Sequence, residues 1–202
     1  MCIRGYIERP VGRYTERREI MKRWIRQMIS AIIVCASCAM SFSGGAYAAA
    51  REQGRYPTAP GAILVTPDNQ NKLAKIFKLG HAGIVLNRTT SVEATLPHVT
   101  TSKNNWKNRS QVRHLYAVTV KRASAAQRKK VANWCRRQVG KAYNKNYMNV
   151  GTRKKFYCSQ LIWAGYKDLC RIDLNTSIYG KMVAPVELVN TPQTGLVYSY
   201  AR

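Results

Sequence analysis

The stretch that decides the fold lies near the C-terminus, where residues 156–166 have the sequence FYCSQLIWAGY. Its apolar residues recur at helical spacing and predict a helix over 157–169. Cys158 falls in the first turn of this helix, shortly after Lys154 and Lys155. A helix N-terminus carries partial positive charge and lysines add to it, so both favour the thiolate, which is the nucleophilic form. Cys158 is therefore a candidate nucleophile, and the alternative is a buried structural cysteine.

A second candidate group lies in a predicted β-hairpin. Residues 80–86, GHAGIVL, predict a strand, and residues 91–96 predict its partner. A connecting loop with an odd number of residues puts His81 and Glu93 on one face as diagonal neighbours, where a carboxylate can orient an imidazole. A four-residue loop instead puts Glu93 on the opposite face. A histidine on a strand also has a purely structural interpretation.

The remaining pattern predicts one α+β domain, because strands are followed by helices and a final strand. The other predicted strands are residues 61–66, 115–120 and 195–200. Residues 125–139 form a predicted helix after Ser124, and short helical segments are predicted at 72–79 and 183–190. The segments predicted to be irregular are a lead-in at 49–60, a polar loop at 100–113 and a loop rich in Tyr and Asn at 141–153.

The N-terminal region has the features of an export signal. Basic residues within 22–26 precede an uncharged run of 15 residues, 28–42, and the small-x-small sequence Ala-Tyr-Ala follows at 46–48. This order is typical of a secretory signal peptide. We therefore predict a signal peptide over 21–48, cleaved after Ala48, with cleavage after Ala50 as the alternative.

Two further expectations follow for this region. A signal that starts at Met21 has ordinary proportions, so residues 1–20 are interpreted as an upstream extension. The uncharged run is shorter than the roughly 20 residues that span a bilayer, although an uncleaved anchor remains the alternative. The predicted location is the periplasm, the cell envelope or the extracellular space.

The composition indicates an anionic partner. The 202-residue chain has 34 Lys and Arg against 9 Asp and Glu, a formal charge of +25. Residues 49–202 keep 26 of these basic residues and six of the acidic ones, so the charge of +20 belongs to the exported part. The expected partner is an anionic cell-wall polymer or a membrane surface, and export makes nucleic acid an unexpected one. The sequence leaves the oligomeric state open.

No metal and no other cofactor are expected. Cys135, Cys158 and Cys170 lack the spacing of a zinc site, and His98 and His114 lie in or beside the polar loop. An odd number of cysteines in an oxidising compartment suggests one pair and one free thiol. A Cys135–Cys170 disulfide and two reduced core thiols are equally compatible with the sequence.

Four segments together resemble a known family. GHAGIV at 80–85, SVEA at 91–94, GKAYN at 140–144 and the cysteine helix at 156–166 follow one another in this order. This order is similar to the circularly permuted branch of the papain-like, NlpC-type cysteine hydrolases, the YiiX/YaeF group, in which the histidine strand precedes the cysteine helix. The resemblance covers about residues 60–200. Ala62, where the family usually has Asp, departs from it.

The resemblance implies a permuted papain-like fold over 61–202, with an antiparallel sheet packed against the helix that carries the nucleophile. It implies Cys158 as nucleophile, His81 as general base and Glu93 as the group that orients His81. Tyr143 lies in a loop that borders the active site in the family. Tyr143 and Tyr157 are the predicted substrate-binding residues.

The expected function is hydrolysis of an amide bond through a covalent acyl-enzyme. Peptidoglycan peptide stems, or related N-acyl or peptide substrates, suit an exported and strongly basic protein. Two alternatives remain open at this point. One is a non-catalytic basic module that binds wall, membrane or another polyanion, and the other is a hydrolase or acyltransferase of lipid acyl esters.

Overall fold

The computed structural model describes residues 51–68 and 80–202. The predicted extension at 1–20, the signal peptide at 21–48 and the short helical segment at 72–79 lie outside the described residues. Among the described residues, no helix has the length and apolar character needed to cross a membrane.

A seven-stranded antiparallel sheet forms the centre of the described part. Its strands are β1 (Arg51–Gly54), β2 (Ile63–Thr66), β3 (His81–Val85), β4 (Thr90–Ala94), β5 (Val99–Lys103), β6 (His114–Val120) and β7 (Thr194–Ala201). They are arranged in the order β1-β7-β6-β2-β3-β4-β5. The sheet and the helices described next confirm the predicted α+β class.

The helices are α1 (Ala125–Arg136), α2 (Cys158–Cys170) and the short α3 (Glu187–Asn190), with a 3-10 turn at Trp106–Asn108. At the start of α1, Ser124 Oγ accepts a hydrogen bond from the backbone N–H of Gln127, whose side chain accepts one in return from the Ser124 N–H. This capping box fixes where α1 begins.

The helices α1 and α2 pack side by side in opposite directions. Val131 lies against Gly165, where an added Cβ would come within 2.9 Å of the Val131 side chain. Four residues further along α1, the Cys135 sulfur lies 3.8 Å from the carbonyl oxygen of Leu161. The C-terminus of α1 is therefore next to the N-terminus of α2.

The sheet is buried on both faces, since alternate residues of a strand point to opposite sides. Ile63 and Val65 of β2 belong to the core beneath the helices. Leu64 belongs to a second core on the other face, where Trp106 and Tyr198 also lie. Two cores explain why every residue of β2 is buried.

Two segments predicted to be irregular contain regular structure. The lead-in contains β1, which pairs with β7 at one edge of the sheet. The polar loop contains β5 at the other edge and the 3-10 turn. Neither strand was predicted from the sequence, because an edge strand needs few apolar side chains, and β5 buries only Val99.

The three cysteines of the described part are free thiols. Cys135 is buried between α1 and α2, whereas Cys170 is at the C-terminal end of α2 and partly exposed. Of the two possibilities left open by the sequence, the structure shows the reduced pair.

Gly83 of β3 lies against the second core. A Cβ added there would lie 2.4 Å from the six-membered ring of Trp106, a distance at which the ring must move. We expect Gly83→Ala to lower the free energy of unfolding by roughly 1–3 kcal/mol, the usual cost of overpacking. Urea denaturation measures this change.

Gly151→Ala is the matched control. An added Cβ at Gly151 meets no atom within 4 Å, so its free energy of unfolding should change by less than about 1 kcal/mol. Equal midpoints for the two variants would contradict the close packing of Trp106 on β3.

Candidate active site

The β3–β4 hairpin brings His81 and Glu93 together. Gly83 pairs with Glu93 and Val85 with Ser91, so residues 87–89 form a three-residue loop. The Asn87 side chain holds this loop by accepting hydrogen bonds from the backbone N–H groups of Thr89 and Thr90. The odd loop length puts His81 diagonally opposite Glu93 on the same face of the sheet.

The two side chains form a short, buried ion pair. His81 Nε2 lies 2.6 Å from Glu93 Oε2, and the two residues are 8% and 3% exposed. Because the ionised carboxylate only accepts hydrogen bonds, Nε2 carries the hydrogen. Nδ1 is therefore the ring nitrogen left for another partner.

That partner is the thiol of Cys158, the first residue of α2. The His81 side chain and the backbone N–H groups of Ala82 and Ser159 are close enough to the thiol to lower its pKa, and its Sγ lies 4.0 Å from the hydroxyl oxygen of Ser159. The backbone N–H of Tyr157, the residue before Cys158, donates a hydrogen bond to the Gln160 side chain at 3.1 Å. This contact fixes the start of α2. The order along the site is sulfur, imidazole, carboxylate.

The charges of these groups support one another. Burial by itself raises the pKa of Cys158, but the hydrogen bond and positive charge of His81 and the backbone N–H groups hold that pKa below its ordinary value. Burial lowers the pKa of His81, yet the hydrogen bonds to Cys158 and Glu93 outweigh it and raise the pKa to about 9. Both shifts favour a thiolate beside an imidazolium over the neutral pair.

Glu93 has a second partner that the sequence did not reveal, Arg109. Burial opposes its ionisation, but hydrogen bonds from His81 and Arg109 hold the pKa of Glu93 far below its ordinary value. The two nitrogens of the guanidinium, Nη2 and Nη1, lie 2.8 and 3.2 Å from the two carboxylate oxygens. Arg109 lies in the predicted polar loop, where no periodicity distinguishes it from other basic residues.

The indole of Trp106 packs against one side of the His81 ring. Its ring is stacked on the His81 ring, with the centroids 5.3 Å apart and the planes 8° from parallel. The indole N–H donates to Ser91 Oγ at 3.0 Å. The stacked indole keeps the His81 ring in its orientation and shields one side of that ring from water.

The two predicted substrate-binding tyrosines differ in their surroundings. Tyr143 is half-buried and close enough to Cys158 that a thiolate there contributes to its raised pKa, although burial is the larger cause. Tyr157 is 2% exposed, and its hydroxyl accepts a hydrogen bond from the Val183 N–H at 3.0 Å. Tyr157 thus fixes the chain after α2. A contact of either tyrosine with substrate stays a prediction.

No group of three or more His, Cys, Asp or Glu side chains within residues 51–68 and 80–202 is placed to hold a metal ion. Both oxygens of Glu93 are already occupied by His81 and Arg109.

An antiparallel sheet with the histidine strand ahead of the cysteine helix is the arrangement of a circularly permuted papain-like protein. The chain belongs to the family of permuted papain-like amidase enzymes, the YaeF/YiiX or C92 family, whose model matches residues 58–198. This family membership makes the protein a cysteine hydrolase in general terms.

A solved structure has the same fold. The chain is similar to the metalloprotein yiiX from Escherichia coli O157:H7, with a TM-score of 0.57 and 19% sequence identity. The match covers 71% of this chain and 97% of the other. No curated protein matches the chain.

The three thiols provide a test of the site. At about pH 6.5, iodoacetamide should alkylate Cys158 faster than Cys170, although Cys170 is the more exposed, because the pKa of Cys170 is raised by burial and that of Cys158 is lowered. His81→Ala should slow the Cys158 reaction by about tenfold or more at this pH, since the thiolate loses its cation. Peptide mapping by mass spectrometry measures both rates.

Cys170→Ser is the control and should leave the Cys158 rate unchanged. Alkylation of Cys158 only above the ordinary thiol pKa of about 8.5 would contradict the ion pair.

Proposed function

We propose that the protein is an exported cysteine hydrolase that cleaves an amide bond through a covalent intermediate on Cys158. The observation that carries the proposal is the convergence of three groups: Cys158 begins α2, His81 is close enough to lower the pKa of its thiol, and Glu93 lies 2.6 Å from His81. A thiolate beside an imidazolium at a helix N-terminus is an activated nucleophile.

In the proposed mechanism, the Cys158 sulfur attacks the carbonyl carbon of the substrate. The negative charge that develops on the oxygen is stabilised by the backbone N–H of Cys158, which at the first helical position has no acceptor within the helix. His81 then gives its Nδ1 proton to the leaving nitrogen, so the C–N bond breaks and an acyl-enzyme remains. Water gives a proton back to His81 as it attacks the thioester, so the C–S bond breaks, the acid is released and the thiolate is restored beside the imidazolium.

Glu93 has a separate role in this mechanism. Its carboxylate accepts the Nε2 hydrogen, so the proton exchanged with the thiol and the substrate is always the one on Nδ1. It also stabilises the imidazolium that persists until the leaving group is protonated.

The proposed substrates are peptidoglycan peptide stems or related N-acyl and peptide amides. The support is the charge of the domain. All six carboxylates of the described part are bound internally or in ion pairs, by Lys107, Tyr198, His114, His81, Arg109, Arg153, Lys167 and Thr176. Four Lys or Arg residues pair with carboxylates, which leaves 19 of the 23 in the described part without a carboxylate partner there.

Helix α1 carries a dense part of this charge. The outer face of α1 presents two pairs of exposed basic residues, and the two members of each pair are seven positions apart in sequence. The pairs are Lys129 with Arg136 and Lys130 with Arg137, which directly follows α1. We propose that this basic face binds an anionic wall polymer or membrane surface and keeps the enzyme near its substrate.

Catalysis is tested by variants of the three site residues on a panel of peptide stems and N-acyl amides. Cys158→Ala and His81→Ala should abolish turnover while the proteins stay folded. Glu93→Gln should cost less, on the order of 100-fold in kcat. Turnover needs the imidazolium, which is lost as pH rises through the His81 pKa of about 9, and Glu93→Gln should move this basic limb to lower pH.

Cys170→Ser should keep wild-type kcat and serves as the control. A wild-type protein that binds anionic polymers but hydrolyses none of these substrates would support the non-catalytic module instead. Turnover of acyl esters alone would support the lipid hydrolase or acyltransferase.

The basic face is tested by sedimentation with purified cell wall and with anionic vesicles. Binding should weaken as salt rises past physiological levels, where the Debye length is about 8 Å. Changing Lys129, Lys130, Arg136 and Arg137 to Gln should weaken binding by about tenfold, since each exposed ion pair contributes roughly 0.2–1 kcal/mol.

A charge-matched control removes four exposed basic residues elsewhere. These are Arg51, Arg55, Lys103 and Arg113. An equal loss for both variants would show that net charge, and not the α1 face, controls binding.

A further inference from the structure

We infer that Arg109 is a positioning residue of this active site, which clamps the Glu93 carboxylate so that it orients His81. The inference deepens the proposed function and rests on it. It adds a fourth side chain, which touches neither the thiol nor a substrate, to the three residues of the mechanism.

The first argument is the number of fixed contacts that Arg109 makes. Its Nη2 lies 2.8 Å from Glu93 Oε1 and 2.7 Å from Ser102 Oγ, and its Nη1 lies 3.2 Å from Glu93 Oε2. The guanidinium thus holds both carboxylate oxygens through a two-pronged pair, the geometry that arginine is shaped to make. Of the two Glu93 oxygens, only Oε2 also contacts His81. The contacts with Arg109 fix the direction in which Oε2 points.

The second argument is that one residue, Trp106, supports both the clamp and the imidazole. The Arg109 guanidinium carbon lies 4.3 Å from the centroid of the Trp106 ring, and the same residue stacks on His81. Trp106 is itself fixed, because its backbone N–H donates to the Tyr56 hydroxyl at 3.0 Å and its indole N–H donates to Ser91. A displacement of the turn would therefore disturb Arg109 and His81 together.

Ser102 connects the two ends of this arrangement. Its hydroxyl accepts from Arg109, and it lies 3.0 Å from the hydroxyl of Ser91, the acceptor of the Trp106 indole. The contacts form a closed ring from Trp106 through Ser91 and Ser102 to Arg109 and back. Such a ring resists rotation of any one side chain within it.

The third argument concerns the charges. The titratable groups that face one another here are Cys158 from α2, His81 from β3, Glu93 from β4 and Arg109 from the turn. Tyr143 and Tyr157 lie beside the thiol, and Tyr56 lies beside the guanidinium. A buried carboxylate without a cation tends towards its neutral form. A protonated Glu93 no longer favours the imidazolium, so the thiolate beside it is less stable.

The test compares Arg109→Met, Arg109→Lys and Lys107→Met. Lys107 is in the same 3-10 turn and pairs with Glu52 at 2.9 Å, so its variant loses an ion pair of this turn without touching Glu93. Two readouts are used: kcat per Cys158 thiol that iodoacetamide alkylates at about pH 6.5, with the site identified by peptide mapping, and the pH at which Cys158 alkylation falls to half. The second readout needs no substrate.

Arg109→Met should lower kcat by roughly 10- to 100-fold, the usual effect of a misplaced catalytic group. It should also move the acid limb of Cys158 alkylation to higher pH by roughly one unit, since a cation has been removed. Arg109→Lys keeps the charge but not the two-pronged contact, so the limb should stay near the wild-type pH while kcat falls. Lys107→Met should leave both readouts unchanged.

An Arg109→Met protein with wild-type kcat and an unmoved limb would overturn the inference, and so would an Arg109→Lys protein with wild-type kcat. If Arg109→Met does not fold, the kcat of Arg109→Lys alone decides whether the inference stands. Failure of the proposed function has a different signature, because the wild-type protein then shows no turnover that depends on Cys158 although the alkylation limb still responds to Arg109.

Discussion

The burial of the Glu93 carboxylate constrains the structure around it. An ionised carboxylate that is 3% exposed and without partners would cost several kcal/mol, so it must be met by donors and positive charge. His81 and Arg109 supply them from two sides. The short hairpin, the packing of Trp106 on Gly83 and the serine contacts all keep these partners in place.

The contrast among the three cysteines shows how surroundings determine the chemistry of a thiol. Cys135 is buried between two helices, and burial raises its pKa far above the ordinary value. Cys170 is partly exposed and its pKa is also raised by burial. Cys158 is also buried, but a histidine and backbone N–H groups reverse the direction of the shift. The surroundings therefore disfavour the thiolate at two of the cysteines and favour it at the third.

The segment before the core domain helps to hold this site. Tyr56 accepts a hydrogen bond from the Trp106 backbone and donates one to Asn104 Oδ1 at 3.0 Å. Trp106, which packs behind His81, is thus held in place by a part of the chain more than 45 residues away in sequence.

The sequence by itself determined the elements whose pattern is local. Helical spacing predicted α2 with Cys158 in its first turn, and alternating apolar residues with a turn predicted the β3–β4 hairpin. The tertiary structure decided what periodicity does not encode. The loop length fixed the face of Glu93, and the return of the polar loop brought Trp106 and Arg109 to the site. A basic residue in a polar segment gives no signal of its partner, because that contact depends on where the chain returns and not on its neighbours in sequence.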